Sequence, residues 1–420
     1  TGGVETMEHN LYQRKTCRYC DTPLGSAFLD LGLQPLANNL PRKDDAGKPE
    51  FRCPLSLVKC PACALVQLTH SVPANLMFDE YLYVSSTTRT FRTHFAEYAE
   101  DVKSRIGSKK NALAVDIGSN DGLLVSCYEK CGLKGVGVEP AKNLSADANQ
   151  RGIVTLNRYF DLETVREITA RFGKAQVVSA NNVFAHIDDI QSVIRNVREL
   201  IADDGFFVIE FAYLVTMLEK MYFDMVYHEH VCYIGETALH RFAERFGMEL
   251  FDIKAVDTHG GSLRVFMQKK GGPRTREKVV GDYLAAESEK GCLGDGIYHD
   301  FSKRVLAFRS KLNDMLSDIK RSGKTVCGYG APAKATTIIN FCGLTPATID
   351  YIVDDNPLKQ GRLVPGSGIP IVPSSHLHAS PAHYVLIFAW NFAPEIIKKI
   401  EFLKEKGVRF IIPLPEPLIV

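Results

Sequence analysis

The sequence predicts an α/β protein: two doubly wound parallel sheets in succession, preceded by a small cysteine-bearing domain. Three observations predict it. Short apolar strands alternate with helical patterns from residue 112 onward, the alternation stops and restarts either side of residue 300, and the first 78 residues carry two Cys-x-x-Cys pairs without helical periodicity. A chain of 420 residues has room for about three domains at roughly one per 150 residues. The expected bounds are 1–78, 79–273 and 274–420.

The first segment is rich in Pro and Leu and reads as a small irregular domain. A core that thin needs a staple. From Thr88 to Ile106, Phe91, Phe95, Tyr98 and Val102 recur three or four apart and mark an amphipathic helix. Ala112–Gly118, Gly135–Glu139, Val154–Phe160, Gln176–Ala180 and Phe206–Phe211 then follow as strands, and Leu250–Asp257 and Ser262–Gln268 as a hairpin. In the third segment a helix carries Phe301, Val305, Phe308, Leu312, Met315 and Ile319 on one face. Thr325–Gly328, Ile349–Val353, Tyr384–Phe388 and Arg409–Ile412 are its strands.

Composition excludes several classes. Hydrophobic residues make up 45% and charged residues 24%, the usage of a globular protein rather than a disordered one. Fifty basic residues face forty-nine acidic ones, so no net field favours a nucleic acid. No apolar run reaches the ~20 residues of a membrane span, and the opening Thr-Gly-Gly-Val-Glu-Thr-Met is unlike a signal peptide. A cytoplasmic protein without nucleic-acid or membrane partners is expected; the oligomeric state stays open, with a monomer compatible.

Of eleven cysteines, Cys17, Cys20, Cys60 and Cys63 form the two pairs. A two-residue gap lets both thiolates of one tight turn reach one zinc ion, and two turns complete a tetrahedron with no open position. Redox motifs or four buried cysteines are the alternatives. Val115-Asp116-Ile117-Gly118-Ser119-Asn120-Asp121-Gly122 ends a strand and opens a helix, where backbone amides face a ligand. Its Asp-x-Gly-x-x-x-Gly spacing suits the amino-acid end of S-adenosylmethionine better than a pyrophosphate. Glu139, at the end of the second strand, can accept both ribose hydroxyls. A generic α/β turn with a capping Asp is the plain alternative.

Tyr227-His228-Glu229-His230 gathers polar and titratable side chains within apolar sequence. Read as a strand, it points Tyr227 and Glu229 one way and His228 and His230 the other. The group offers a base and an orienting carboxylate; a metal-binding histidine pair or surface histidines are alternatives. Gly328-x-Gly330-x-x-Ala333 after a strand, with Asp354 and Asp355 beyond, imitates a dinucleotide fingerprint. A nicotinamide-dependent nucleotide-sugar oxidoreductase is therefore one rival, and a zinc-containing nucleic-acid binder another.

Further landmarks are Phe28-Leu29-Asp30-Leu31-Gly32-Leu33-Gln34-Pro35-Leu36, Tyr81-Leu82-Tyr83-Val84-Ser85-Ser86, Ala180-Asn181-Asn182-Val183-Phe184-Ala185-His186-Ile187, His259-Gly260-Gly261 and Gly328-Tyr329-Gly330-Ala331-Pro332-Ala333-Lys334. With these the chain resembles, over nearly its whole length, the zinc-containing sugar C-methyltransferases of deoxysugar pathways. That family includes the tetronitrose and mycarose 3-C-methyltransferases. The resemblance implies a zinc-binding N-terminal domain, a class I S-adenosylmethionine methyltransferase domain of Rossmann-like fold, and a second Rossmann-like domain that helps bind a nucleotide sugar. It implies methylation next to the ketone of a nucleotide-linked 4-keto-deoxysugar, at C3, through a base-generated enolate. The implied active-site groups are Tyr83, His186, Tyr227, Glu229 and His230, with His230 as base; His228 and Val84 depart from the family. The implied cofactor shell is Asp116, Gly118, Asn120, Asp121, Gly122, Glu139, Phe160, Asn181 and Asn182. The implied substrate shell is Tyr81, Ser85, Ser86, His259, Gly260, Gly328, Tyr329, Gly330 and Lys334. Elemental analysis should find about one zinc per chain, and Cys60→Ala should lose the metal and destabilise the N-terminal segment.

Overall fold

The computed structural model of the chain describes residues 12–78, 89–258 and 260–420. Where irregular chain was expected near the N-terminus, there is an antiparallel sheet of β1 (Leu29–Pro35), β2 (Arg52–Lys59) and β3 (Val66–Leu68). Its fourth strand, Cys232–Tyr233, comes from far along the chain and pairs with β3. The sheet is hard to see in the sequence because β1 is bulged. Its register shifts between Asp30 and Leu33, Gly32 takes φ +79° there, and the Gly32 N–H donates to Asp30 Oδ1 at 2.9 Å. The bulge breaks the alternation by which a half-buried strand is recognised.

The central sheet holds β4 (Leu113–Ile117), β5 (Lys134–Val138), β6 (Thr155–Leu156), β7 (Ala175–Asn181), β8 (Ile201–Ala212), β9 (Met248–Val256) and β10 (Ser262–Lys269). The spatial order is β6-β5-β4-β7-β8-β10-β9, parallel through β8, with β10 antiparallel to both β8 and β9. This is the class I methyltransferase arrangement. Every residue of β4 is buried, as expected of a strand covered on both faces. The expected Val154–Phe160 strand shrinks to Thr155–Leu156, because the chain turns away through Arg158 toward the Asp161 cap, whose side chain accepts the Thr164 N–H.

The helix Arg89–Ile106 packs Phe95, Tyr98 and Val102 against this sheet, and the Arg264 guanidinium lies 3.9 Å from the Tyr98 ring centroid. The last sheet contains β11 (Val326–Tyr329), β12 (Ile352–Val353), β13 (Ile371–Val372), β14 (Tyr384–Ile387), β15 (Arg409–Ile412) and β16 (Leu418–Ile419). Its order is β13-β12-β11-β14-β15-β16, parallel except for β16. β13 and β16 escape prediction because two residues carry no periodicity. The helix Gly296–Arg321 buries Phe301, Val305, Phe308 and Leu312 as expected.

The hydrophobic interior does not respect segment bounds. One cluster joins Cys17, Tyr19, Cys60 and Cys63 to the central sheet. Another joins Leu29, Leu57 and Val66 to Leu214, Phe223, Phe308 and Ile338. Among the described residues no helix is long and apolar enough to cross a membrane.

Candidate active site

In an open parallel sheet the ligand crevice lies beyond the C-terminal strand ends where strand order reverses, here between β4 and β7. A cleft of about 1130 Å³ opens there. It is lined from all three segments: Asn38 and Ser71; Gly118, Asn120, Glu139, Phe160, Asn181, Asn182 and His186; Tyr227, Glu229 and His230; and Lys334 and Lys359.

At the sheet end, the Glu139 carboxylate accepts the Asn120 N–H through Oε2 and the Ala141 N–H through Oε1, both at 2.8 Å. Burial raises its pKa and the two amides oppose that rise. The fork is thereby fixed at the strand tip. Gly118 sits at φ +63°, and a Cβ there would come 2.5 Å from a Val183 methyl. Asn181 aims at the cleft with both side-chain polar atoms buried and without a partner, a cost a bound ligand can offset. These features fit the amino-acid and ribose ends of S-adenosylmethionine.

Other members of the expected cofactor shell sit behind the cleft. Asp116 accepts the Ser179 hydroxyl at 2.6 Å, and burial pushes its carboxyl up to about 7. Asp121 turns to Arg151, and Gly122 packs against Ile153, where a Cβ would approach to 2.9 Å. These three do not line the cleft. They brace the turn that does.

Residues 227–230 form a tight turn rather than a strand: the His230 N–H donates to the Tyr227 carbonyl at 2.9 Å. The expected alternation of side chains is therefore wrong. Tyr227, Glu229 and His230 share the cleft, while His228 faces inward, 2% exposed, with Nε2 3.1 Å from the Cys53 carbonyl. Burial pushes His228 down to about 4. The His230 Nδ1 lies 2.8 Å from the Met225 carbonyl, which can only accept, so Nδ1 carries the proton. Nε2 then keeps its lone pair, and the Tyr227 hydroxyl donates to it at 2.7 Å. Both ring nitrogens of the expected base are engaged, by the Tyr227 hydroxyl and the Met225 carbonyl; the carboxylate expected to orient it bonds elsewhere. Glu229 Oε1 instead accepts from Asn38 Nδ2 at 2.6 Å, and the His186 ring centroid is 4.8 Å from that of His230.

At the far end of the cleft, burial pushes the Lys334 ammonium down to about 8 against the pull of Asp224. Its Nζ donates to Asn391 Oδ1 at 2.5 Å and lies 4.1 Å from the Trp390 ring centroid. Tyr222 stacks on Trp390 at 4.2 Å, and a Cβ at Gly260 would meet Tyr222 at 2.7 Å. Gly328, Tyr329 and Gly330 do not line the cleft. A Cβ on Gly328 would meet Ile352 and Phe388 at 2.8 Å, and one on Gly330 would meet Ala389 at 2.7 Å, so these glycines permit packing. The Tyr329 hydroxyl donates to Asp355, and the Ala331 N–H donates to Asp354 Oδ2 at 2.7 Å. A protein carboxylate thus occupies the amide that a dinucleotide pyrophosphate would need, which counts against the oxidoreductase. Tyr81, Tyr83, Ser85, Ser86 and His259 lie outside the described residues. Asn38, Ser71, Tyr222 and Lys359 were missed; each is an isolated polar or aromatic residue whose role only the tertiary fold reveals.

The four cysteine sulfurs lie within 4.8 Å of one another, with Cys17–Cys63 and Cys20–Cys60 at 3.5 Å. A zinc tetrathiolate with bonds of about 2.3 Å has sulfur–sulfur edges of about 3.8 Å. The donor set fits. Each knuckle ends on a residue of positive φ, Asp21 at 61° and Ala64 at 66°, just after its second cysteine.

Family models match in three consecutive stretches: a zinc binding domain over residues 17–78, a methyltransferase domain over 91–252, and a C-methyltransferase C-terminal domain over 257–415. The C-methyltransferase NovU of Streptomyces niveus is 35% identical over 404 residues, 96% of each chain. The chain belongs to the zinc-containing, S-adenosylmethionine-dependent C-methyltransferases. Similar solved structures include a magnesium protoporphyrin IX methyltransferase from Synechocystis with bound SAM (14% identity, 45% of this chain and 86% of that one, TM-score 0.32). Another is the PH0226 protein from Pyrococcus horikoshii (14% identity, 47% and 98%, TM-score 0.36).

Glu139→Ala should weaken S-adenosylmethionine binding by roughly 1–3 kcal/mol, the usual loss for charged hydrogen bonds, measured by calorimetry. For His228, the folded pKa near 4 lies below the ordinary 6.5, so the unfolded chain binds more protons between those values and stability falls as pH drops from about 6.5 to about 4. His228→Asn should flatten that acid limb in denaturant titrations at pH 7.5 and 5, while leaving kcat near normal.

Proposed function

We propose that this C-methyltransferase alkylates the carbon next to the ketone, at C3, of a nucleotide-linked 4-keto-deoxysugar. The observation that carries the proposal is the tautomer of His230, whose Nε2 is left basic and accepts the Tyr227 hydroxyl in the lining of the same cleft as Glu139 and Lys334. The sugar and its ring position rest on the resemblance; the geometry supports a base, a hydrogen-bond donor and a cationic end in one cavity.

A carbon acid next to a ketone becomes nucleophilic when its proton leaves and the charge moves to oxygen. His230 Nε2 takes that proton once the Tyr227 hydroxyl it accepts turns to the substrate oxygen. Tyr227, beside it, and His186, whose ring packs on that of His230, are placed to donate to the developing enolate oxygen. Tyr83 is proposed to join them. Glu229, held by Asn38, fixes the turn. Asn181 and Asn182, with Gly118, Asn120, Phe160 and Glu139, hold the cofactor, which supplies an electrophilic methyl group when bound. The enzyme's remaining contribution is alignment and exclusion of water. Lys334 and Lys359 face the diphosphate of the substrate, an anion that suits two ammonium groups in one cleft. The zinc-binding cysteines, with all four corners filled by sulfur, hold structure only.

His230→Ala should abolish exchange of the substrate α-proton with deuterated water and lower kcat by about 10²- to 10⁴-fold with cofactor affinity unchanged; normal proton washout would overturn the assignment of the base. Because Lys334 is charged only below about 8, the KM for the nucleotide sugar should rise as pH climbs through that value. Lys334→Met should raise KM at pH 7 and erase its pH dependence.

A further inference from the structure

Arg18 lies inside the first zinc knuckle, between Cys17 and Cys20, and is 1% exposed. An arginine buried there needs partners for its donors. Nε donates to Asp188 Oδ1 at 2.9 Å, Nη1 to Gln67 Oε1 at 3.1 Å and the Leu68 carbonyl at 2.8 Å, and Nη2 to the Ser71 hydroxyl at 2.8 Å. The Ser71 hydroxyl donates in turn to the same Asp188 oxygen at 2.5 Å. Gln191 closes the contact from the other side, its amide reaching the Arg18 carbonyl at 3.1 Å and Asp21 Oδ1 at 2.8 Å.

Asp188 is two residues beyond His186, on the short loop that ends the 3-10 turn Phe184–His186, and both residues line the cleft. The loop is thus gripped at Asp188, and the helix that follows it, Ile190–Leu200, at Gln191, by residues 18–21 of the knuckle. A rigid fork of this kind transmits position as well as charge. Arg18 is carried between two ligand cysteines, so the wrapping of the knuckle sets where its guanidinium meets Asp188.

We infer that Arg18 is a positioning residue for methyl transfer: through Asp188 it ties the zinc knuckle to the loop that carries His186. The inference rests on the function proposed above for its kinetic readout, but not for its structural one. Misplacement of a catalytic group by about 1 Å can cost on the order of 100-fold in rate.

The test uses the full-length, zinc-loaded protein and two variants. Arg18→Met removes the fork from the knuckle, and Asp188→Asn removes its charge partner without touching the metal turn. For each, zinc content, calorimetric S-adenosylmethionine affinity, kcat and KM with a 4-keto-deoxysugar nucleotide, and backbone hydrogen exchange of residues 184–191 are measured. The expected result is about 10- to 100-fold lower kcat with KM and cofactor affinity little changed, faster exchange in 184–191, and a double variant no worse than Arg18→Met alone. Arg18→Lys should recover part of the kcat. If Asp188→Asn keeps normal kcat and normal protection of 184–191, the inference is overturned, whether or not Arg18→Met retains zinc. If the wild type fails to methylate the sugar, the functional proposal fails, and the exchange data alone decide whether Arg18 orders the loop.

Discussion

A single hydrogen bond, from His230 Nδ1–H to the Met225 carbonyl, fixes which nitrogen of the proposed base is basic, and most of the surrounding architecture keeps that carbonyl in place. The turn that contains it is tied to every segment of the chain. Asp224 accepts the Trp390 indole N–H, the Val226 carbonyl accepts the Thr337 hydroxyl, His228 meets the Cys53 carbonyl, and Glu229 is held by Asn38. A catalytic histidine on a surface loop would sample both tautomers and several rotamers. Here the neighbouring side chains are held by these contacts, so the ring keeps the orientation in which Nε2 accepts the Tyr227 hydroxyl at the lining of the cleft.

The two ends of the cleft solve different electrostatic problems. At the sheet end the ligand groups are a fixed carboxylate and an unpaired amide, suited to hydroxyls and an amino acid. At the other end they are ammonium groups, suited to a diphosphate. Leaving Asn181 unpaired costs roughly 1–3 kcal/mol in the empty protein, and that cost is removed when a ligand supplies partners. Preorganisation of this kind trades stability of the free enzyme for ordering of the complex.

Much of this was legible in the sequence, for identifiable reasons. The strand-turn-helix at Gly118 and the carboxylate at Glu139 are local features whose spacing is set by secondary structure, and both reach the cleft. The cysteine pairs are legible because metal geometry constrains their spacing. The cluster at Tyr227–His230 could be noticed but not oriented, since the choice between strand and turn depends on contacts with Cys53 and Asn38, which are remote in sequence. Gly328 and Gly330 were legible as part of a dinucleotide-like fingerprint, yet sequence does not say whether a ligand or a neighbouring side chain approaches them; here it is Ile352, Phe388 and Ala389. Asn38 and Lys359 carried no signal at all.

The strand Cys232–Tyr233, which completes the N-terminal sheet, bears on how the chain can be assembled and inherited. As the polypeptide leaves the ribosome, β3 remains an unpaired edge until more than half of the chain has been synthesised, and unpaired edges recruit other strands. Metal loading of the knuckles can precede that moment, but completion of the sheet cannot. The N-terminal segment is consequently not a portable module: a gene fusion that moved it to another protein would leave its last strand behind.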